Sequence, residues 1–171
     1  ADYRVLLQCG FNEIMSQSIH EKLAGHLEFE ELVEFLQSLQ MESKIATPIY
    51  NQLKQGCVKK VRANPYIICP INHLSFLDAE KISFALNLSP VNRNRYKEAI
   101  LFYVLWRMER NGDICVPEEV LVNDMVSGAF LHRISPYKDG NVVDRVVVEE
   151  LLEELVKDRF LLTDKSVFNG K

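Results

Sequence analysis

FLQSLQMESKIATPIYNQLKQGCVKKVRANPY, residues 35–66, is the stretch from which the fold of this chain can be worked out. Its apolar residues recur at the spacing of a helix face, which predicts helices at about Ser43–Leu53 and Cys57–Arg62. Pro48 is awkward inside the first of them, and Thr47–Pro48 can instead restart the helix as its cap and first position. Asn64–Pro65–Tyr66 ends the second, because a proline disfavours helical backbone at the preceding residue.

The segments on either side are also predicted to be helical. Residues 12–24 form one helix, which Asn12 can cap and Gly25 ends, and residues 28–39 form the next. On the other side, HLSFLDAEKI, residues 73–82, is expected to be a tight turn that leads into a helix. A long helix then runs from a cap at Ser89–Pro90 to about Arg110, and Asn111–Gly112 ends it. Two aromatic side chains of this helix are expected in the core, Tyr103 and Trp106; the alternative is that they form a platform on which bases stack.

The pattern changes after residue 111. The expected order is strand, helix, loop, helix and hairpin, at residues 114–116, 117–125, 127–141, 146–158 and 160–168. This is the order of a winged helix, and its loop is long enough to be mobile. The predicted fold is therefore mostly α. It has a helical region with two turn-centred units at residues 1–111 and a small winged-helix-like module with a short β-hairpin at residues 112–171.

Composition and cysteine usage narrow the class of protein. Of the 171 residues, 47% are hydrophobic, enough for one compact domain or two small ones. No apolar run approaches the ~18 residues that span a bilayer, and no signal peptide opens the chain. We therefore expect a soluble, cytoplasmic protein with no membrane partner. The four cysteines form no C-x-x-C pair and the four histidines show no metal-ligand spacing, so no metal site is predicted.

The net charge of −4 hides a basic middle third. Residues 1–40 sum to −5, residues 41–111 to +6 and residues 112–171 to −5. A polyanion would therefore meet the middle third. Ordinary solvated helix faces are the alternative explanation of the same imbalance. The basic residues that are candidate contacts are Lys44, Lys54, Lys59, Lys60, Arg62, Arg93 and Arg95.

Two sets of residues in the central region carry a resemblance to a known family. The sets are Gln40–Glu42, Ala46, Ile49–Tyr50 and Asn64–Pro65–Tyr66, and then His73–Phe76, Ala79–Glu80 and Ile82. They resemble the tandem helix-hairpin-helix units in the N-terminal region of RecD-like ATP-dependent DNA helicases, the exodeoxyribonuclease V alpha-subunit family. The resemblance covers residues 30–168. It departs from the family at the turn glycines, which are replaced by Gln40, His73 and Ser75.

The resemblance implies a role in DNA binding. A helix-hairpin-helix unit holds nucleic acid when its tight turn aims backbone N–H groups at a phosphate, which positions the protein without reading sequence. It implies that His73, Leu74 and Ser75 contact the backbone of single-stranded or forked DNA. It also implies that the downstream helicase motor of the parent chain is the protein partner. The alternative is that both turns only pack helices, because side chains stand where glycine would let the backbone approach.

Catalysis is not expected from this sequence. It has no G-x-x-x-x-G-K-[ST] phosphate loop, no nucleophile with a matched base and no distinctive pair of carboxylates. No catalytic residue and no cofactor is therefore predicted. By resemblance, the parent protein is an ATP-dependent DNA helicase, and this part is an accessory region that positions its motor. The other hypothesis is a protein-docking module that uses the acidic helix at residues 146–158 and the loop at residues 127–141.

Overall fold

The computed structural model describes residues 3–163, which form helices joined by turns and contain no β-strand. The predicted mostly α fold is confirmed. The α-helices of these residues are α1 Tyr3–Gln8, α2 Glu13–Ser38, α3 Ala46–Leu53, α4 Cys57–Ala63, α5 Phe76–Ala85, α6 Arg93–Asn111, α7 Glu118–Val126, α8 Ala129–Ile134 and α9 Arg145–Lys157. Two 3-10 helices accompany them, Ser43–Ile45 and Pro65–Ile68.

The helices belong to two compact units, the first ending at Leu74 and the second beginning at Ser75. The first unit is built on α2, against which α1, α3 and α4 pack. Only the C-terminal half of α2 contributes large apolar side chains to the core, because α3 and α4 cover that half. The buried apolar side chains of α2, α3 and α4 are Leu32, Phe35, Leu36, Ala46, Ile49, Cys57, Val58 and Val61.

α2 is one continuous helix of 26 residues, so the prediction of two helices separated by Gly25 is wrong. Asn12 caps its start as predicted, and its side chain accepts a hydrogen bond from the Met15 N–H at 2.8 Å. Gly25 lies within the helix, where a Cβ atom would be 2.7 Å from the Tyr50 hydroxyl oxygen. The glycine therefore admits a side chain of α3 and does not end a helix.

Both proline positions of the quoted stretch have a simple explanation. Pro48 is the third residue of α3, which begins at Ala46, so Thr47 does not restart the helix. The first four N–H groups of a helix have no partner within it, so the missing proline donor causes no loss there. Asn64 ends α4 as predicted, and its side chain caps the 3-10 helix that begins at Pro65.

The second unit contains α5 to α9. In it α9 packs on both α6 and α7, so the domain boundary predicted at residues 111–112 lies inside a compact unit. The long helix α6 is capped by the side chain of Asn92, three residues later than the predicted Ser89–Pro90 cap. It ends as predicted at Gly112, whose φ is 69°.

The winged-helix-like module is not confirmed. The predicted strand at residues 114–116 is wrong, because these residues form a bend in which Ile114 is 94% exposed. The predicted hairpin at residues 160–168 has no strand up to residue 163, and its remainder lies outside the described residues. The predicted mobile loop at residues 127–141 contains α8, and buried Tyr137 and Asn141 anchor its end.

Candidate nucleic-acid interface

The first predicted turn ends α2 with a hydrogen-bond pattern that usually contains glycine. Gln40 has a φ of 58°, in the left-handed region. Its N–H donates to the Gln37 carbonyl at 2.9 Å, and the Met41 N–H donates to the Leu36 carbonyl at 2.9 Å. This is a Schellman motif, whose left-handed residue is usually glycine because glycine has no Cβ. The turn therefore has the conformation that glycine favours, although its residue is glutamine.

The second predicted turn also contains a left-handed residue, but its neighbouring donors are engaged. His73, near the end of the first unit, has a φ of 68°, and the Leu74 N–H donates to the Ile71 carbonyl at 3.0 Å. At the start of the second unit, the Ser75 N–H and hydroxyl donate to the Asp78 carboxylate at 3.0 and 2.9 Å. This arrangement is a capping box for α5. The backbone donors of Leu74 and Ser75 therefore have partners within the protein.

Four of the predicted cations lie on or next to α4 in the first unit. We call them the basic cluster, which consists of Lys54, Lys59, Lys60 and Arg62. All four are exposed, because the buried side of α4 is formed by Cys57, Val58 and Val61. The Lys60 ammonium donates to the Leu53 carbonyl at 2.7 Å, in the last turn of α3. None of the four contacts a carboxylate among the described residues.

Aromatic rings hold two members of the basic cluster in place. The Arg62 guanidinium lies over the Phe35 ring, 4.4 Å from its centre. The Lys54 ammonium lies 5.8 Å from the centre of the Tyr50 ring. Lys54 also has a φ of 51° and a ψ of −137°, which is unusual for a residue with a side chain. Contact with a ring face orders a cation and leaves its charge without a counter-ion.

Two other predicted cations are paired with carboxylates. Lys44 forms an exposed ion pair with Glu42, the residue next to the first turn. Arg93 donates to Glu154 at 3.1 Å and to Glu150 at 3.2 Å, both on α9. These hydrogen bonds raise the pKa of Arg93 above its usual value. A phosphate would have to compete with these carboxylates for both cations.

Arg95 is buried with no exposed surface, so its prediction as a DNA contact is wrong. Its Nε and Nη2 atoms donate to the two oxygens of Glu80, at 2.7 and 3.0 Å, and Glu80 is also fully buried. The sequence contained one signal of this role. Glu80 follows Phe76 by four residues, which places its carboxylate on the apolar side of α5.

Arg95 also donates hydrogen bonds to the segment that follows α8. Its Nη1 atom donates to the Gly140 carbonyl at 2.8 Å, and Nη2 donates to Asn141 Oδ1 at 2.8 Å and to Ser135 Oγ at 3.0 Å. The Asn141 amide donates in turn to the Tyr137 carbonyl at 2.8 Å. This buried network is the physical reason that residues 135–141 are held in place.

Other kinds of site find little support in residues 3–163. No three side chains of histidine, cysteine, aspartate or glutamate come together there as a metal centre would need. Burial raises the pKa of the Cys57 thiol, which keeps it protonated and unreactive. None of the helices described is long and apolar enough to cross a membrane.

Comparison with known protein families gives a match, and it covers the part of the chain that contains both turns and the basic cluster. The model of one protein family, described as the ATP-dependent RecD2 DNA helicase HHH domain, matches residues 25–115, just over half of the chain. No curated protein and no solved structure matches this chain. The match runs from the middle of α2 to beyond the end of α6. The predicted resemblance to the N-terminal region of RecD-like helicases is confirmed, and this chain belongs to the family of the ATP-dependent RecD2 DNA helicase HHH domain.

Proposed function

We propose that this chain is a non-catalytic accessory region of a RecD-like helicase that holds the DNA backbone without reading its sequence. The observation that carries the proposal is the basic cluster, in which four exposed cations have no carboxylate partner among the described residues. Lysine and arginine side chains in such positions contact phosphates and release condensed counter-ions. Contacts of this kind position a protein on DNA and carry no sequence information.

The two turns have a different part in this proposal. The Leu74 and Ser75 N–H groups donate to protein atoms. We therefore assign His73, Leu74 and Ser75 a structural role, that of forming the turn, and not phosphate contact. Phosphate contact is assigned to the basic cluster, with Lys44 and Arg93 as secondary contacts that must first leave their carboxylates. ATP hydrolysis and unwinding would belong to motor domains of the parent protein. This region would hold single-stranded or forked DNA and position the motor on it.

The test measures how salt weakens binding to single-stranded DNA. The variant Lys59→Ala/Lys60→Ala/Arg62→Ala removes three phosphate contacts. The slope of log K against log salt should therefore become shallower by about 2, since each contact contributes roughly 0.7 on a single strand. The matched control is Lys81→Ala/Lys138→Ala/Lys157→Ala, which removes three exposed lysines of the second unit. Thermal melting checks that both variants are folded.

The proposal would be overturned by an unchanged slope in the basic-cluster variant, or by an equal change in the control variant. Two strands of equal length and different sequence should bind with the same affinity. A preference for one of them of tenfold or more would contradict backbone-only contact.

A protein-docking module is the second candidate function. The observation that favours it is a set of exposed apolar side chains in the second unit, with Ile114 at 94%, Val142 at 66% and Val146 at 60% exposure. Failure of the unmodified chain to bind DNA at low as well as moderate salt would favour this function over the first.

A further inference from the structure

A second cationic site lies in the second unit, around the one tryptophan of the chain. Trp106 is on α6 and is partly exposed, so the prediction that it is a core residue is only half right. The Arg133 guanidinium lies 4.9 Å from the centre of its ring, and the Arg110 guanidinium lies 5.8 Å from it. The Phe130 ring, at 5.4 Å between centres, supports the indole from the core. Two exposed guanidiniums therefore lie within 6 Å of the centre of one ring.

These two arginines differ from most of the others in the second unit. Four arginines of the unit form ion pairs with carboxylates, namely Arg93, Arg95, Arg107 and Arg145. Arg110 and Arg133 contact no carboxylate among the described residues. A guanidinium that stacks on a ring uses its flat face for that contact. Its N–H donors lie around the edge, where they can bind an anion.

Two acidic residues of this region are already bonded to other side chains. Asp113 accepts from Arg107 Nε at 2.6 Å. Asp124 accepts a hydrogen bond from the Tyr103 hydroxyl. The Tyr103 ring makes an edge-to-face contact with the Phe130 ring. Neither carboxylate contacts the guanidiniums of Arg110 and Arg133. Positive charge and a partly exposed aromatic ring therefore occur together.

We propose that Trp106, Arg110 and Arg133 form a binding site for an unpaired base and its flanking phosphates in single-stranded DNA. The base stacks on the indole or on the outer plane of a guanidinium, and the N–H edges of the two arginines hold the phosphates. The inference rests on the proposed function for the identity of the ligand. It shares no residue with the basic cluster, so either site can fail a test while the other passes.

An unpaired strand suits this site better than a duplex. Every base has a flat face that can stack on an aromatic side chain, and in single strands that face is accessible. In a duplex the same faces are covered by neighbouring base pairs, and the protein meets mainly phosphates. The site is therefore expected to distinguish single-stranded DNA from a blunt duplex.

The single tryptophan supplies a direct readout, because fluorescence from Trp106 reports on this site alone. The full chain is titrated with an unlabelled oligothymidylate of about 16 nucleotides, the upper end of common site sizes. We expect saturable quenching by the single strand. Much weaker quenching is expected from a blunt duplex at equal phosphate concentration, and none from inorganic polyphosphate.

Variants separate the contribution of the site from that of general charge. Arg133→Ala and Trp106→Ala should each weaken binding to labelled single-stranded DNA about tenfold, as measured by anisotropy. Trp106→Phe should bind within about threefold of the unmodified chain, because it keeps a stacking ring. The matched control is Arg145→Ala, which removes an exposed arginine of the same unit that pairs with Glu119 and Glu149. It should leave the affinity unchanged.

The outcomes distinguish this site from the basic cluster. Quenching that persists in the Lys59→Ala/Lys60→Ala/Arg62→Ala variant would support the Trp106 site, even if the salt slope failed to change. DNA binding without any quenching would overturn the inference and leave the basic cluster standing. Equal quenching by polyphosphate would also overturn it, because no base would then be needed. A folded Trp106→Ala variant with undiminished affinity would do the same.

Discussion

Gln40 has a side chain in a backbone conformation that most residues avoid. Its φ of 58° lies in the left-handed region, where contact between Cβ and the following carbonyl costs an L-residue roughly 1–2 kcal/mol. The conformation persists because the Gln40 and Met41 N–H groups satisfy the last carbonyls of α2. The hydrogen bonds at the helix end thus determine the turn, and glycine is not required.

Replacement of Gln40 tests this explanation. Gln40→Gly is expected to have a free energy of unfolding about 1 kcal/mol higher than Gln40→Ala, because only glycine relieves the strain. Urea denaturation measures the difference. The matched control is Gln37, an exposed residue of α2 with ordinary helical backbone. There the free energy of unfolding of Gln37→Gly should be about 1 kcal/mol lower than that of Gln37→Ala. The same order of stability at both positions would contradict the assignment.

Arg95 and Glu80 form a buried pair whose partners depend on each other. Arg95→Met or Glu80→Met alone should lower the free energy of unfolding by about 3–5 kcal/mol, because each leaves a buried charge without its partner. The double variant should recover only part of the loss, since Gly140 and Asn141 still lack their donor. Arg145→Met, in an exposed pair, should cost less than about 1 kcal/mol. Additive single losses in the double variant would count against a coupled pair.

At the scale of elements, three helices end in the same way without glycine. The left-handed residues after α2, α5 and α9 are Gln40, Asn87 and Arg159. In each case the next residue donates to the carbonyl five positions back, as in a Schellman motif. A helix in this chain can therefore end without glycine, and α2 ends at such a turn after Ser38. Gly25 is not needed to end α2 and lies in its interior.

The interior position of Gly25 gives a second element-level prediction. Alanine has the higher helix propensity by about 1 kcal/mol, but its Cβ would meet the Tyr50 hydroxyl at 2.7 Å. Gly25→Ala is therefore expected to give no gain in stability by itself. In a Tyr50→Phe background, which lacks that oxygen, the same change should stabilise the chain by about 1 kcal/mol. Equal effects in both backgrounds, measured by urea denaturation, would show that the contact is unimportant.

The hydrogen bond between α6 and α7 predicts a pH dependence of stability. Burial, reinforced by the bond to Asp124, raises the pKa of Tyr103 to about 12, whereas an unfolded tyrosine titrates near 10. A raised folded-state pKa means that this contribution is complete below pH ~10 and is lost as the pH rises towards 12. The loss is about 2–3 kcal/mol. Tyr103→Phe should remove this part of the alkaline destabilisation, and an unchanged pH profile in that variant would refute the assignment.

At the scale of the whole molecule, pairing decides which charges are available to a partner. The chain carries a net −4, so overall charge does not favour DNA. In the second unit Arg93, Lys97 and Arg145 contact acidic residues of α7, α9 or the residue after α9. In the first unit the basic cluster contacts a carbonyl and two rings. The proposed interface therefore depends on local pairing more than on the sum of charges.

Local patterns in the sequence were enough to predict the helical class, most helix positions and the family. Helix spacing, the cap at Asn12, the break at Asn64–Pro65 and the glycine at position 112 act over a few residues, so a reader of the sequence can recognise them. Ile114–Cys115–Val116 shows the limit of such patterns. A strand needs a partner for its backbone groups, and the described part of the chain offers none to this segment.

Only the tertiary structure decided the roles of individual cations. Arg62 and Arg95 are equally basic in sequence, yet Arg62 is exposed over a ring and Arg95 is buried against an acid fifteen residues away. Arg93 meets Glu154, which is 61 residues distant. The sequence by itself determined most of the helical segments, because hydrogen bonding within a helix is local. Availability for DNA depends on ion pairs and burial, which join distant residues and exist only once the chain has folded.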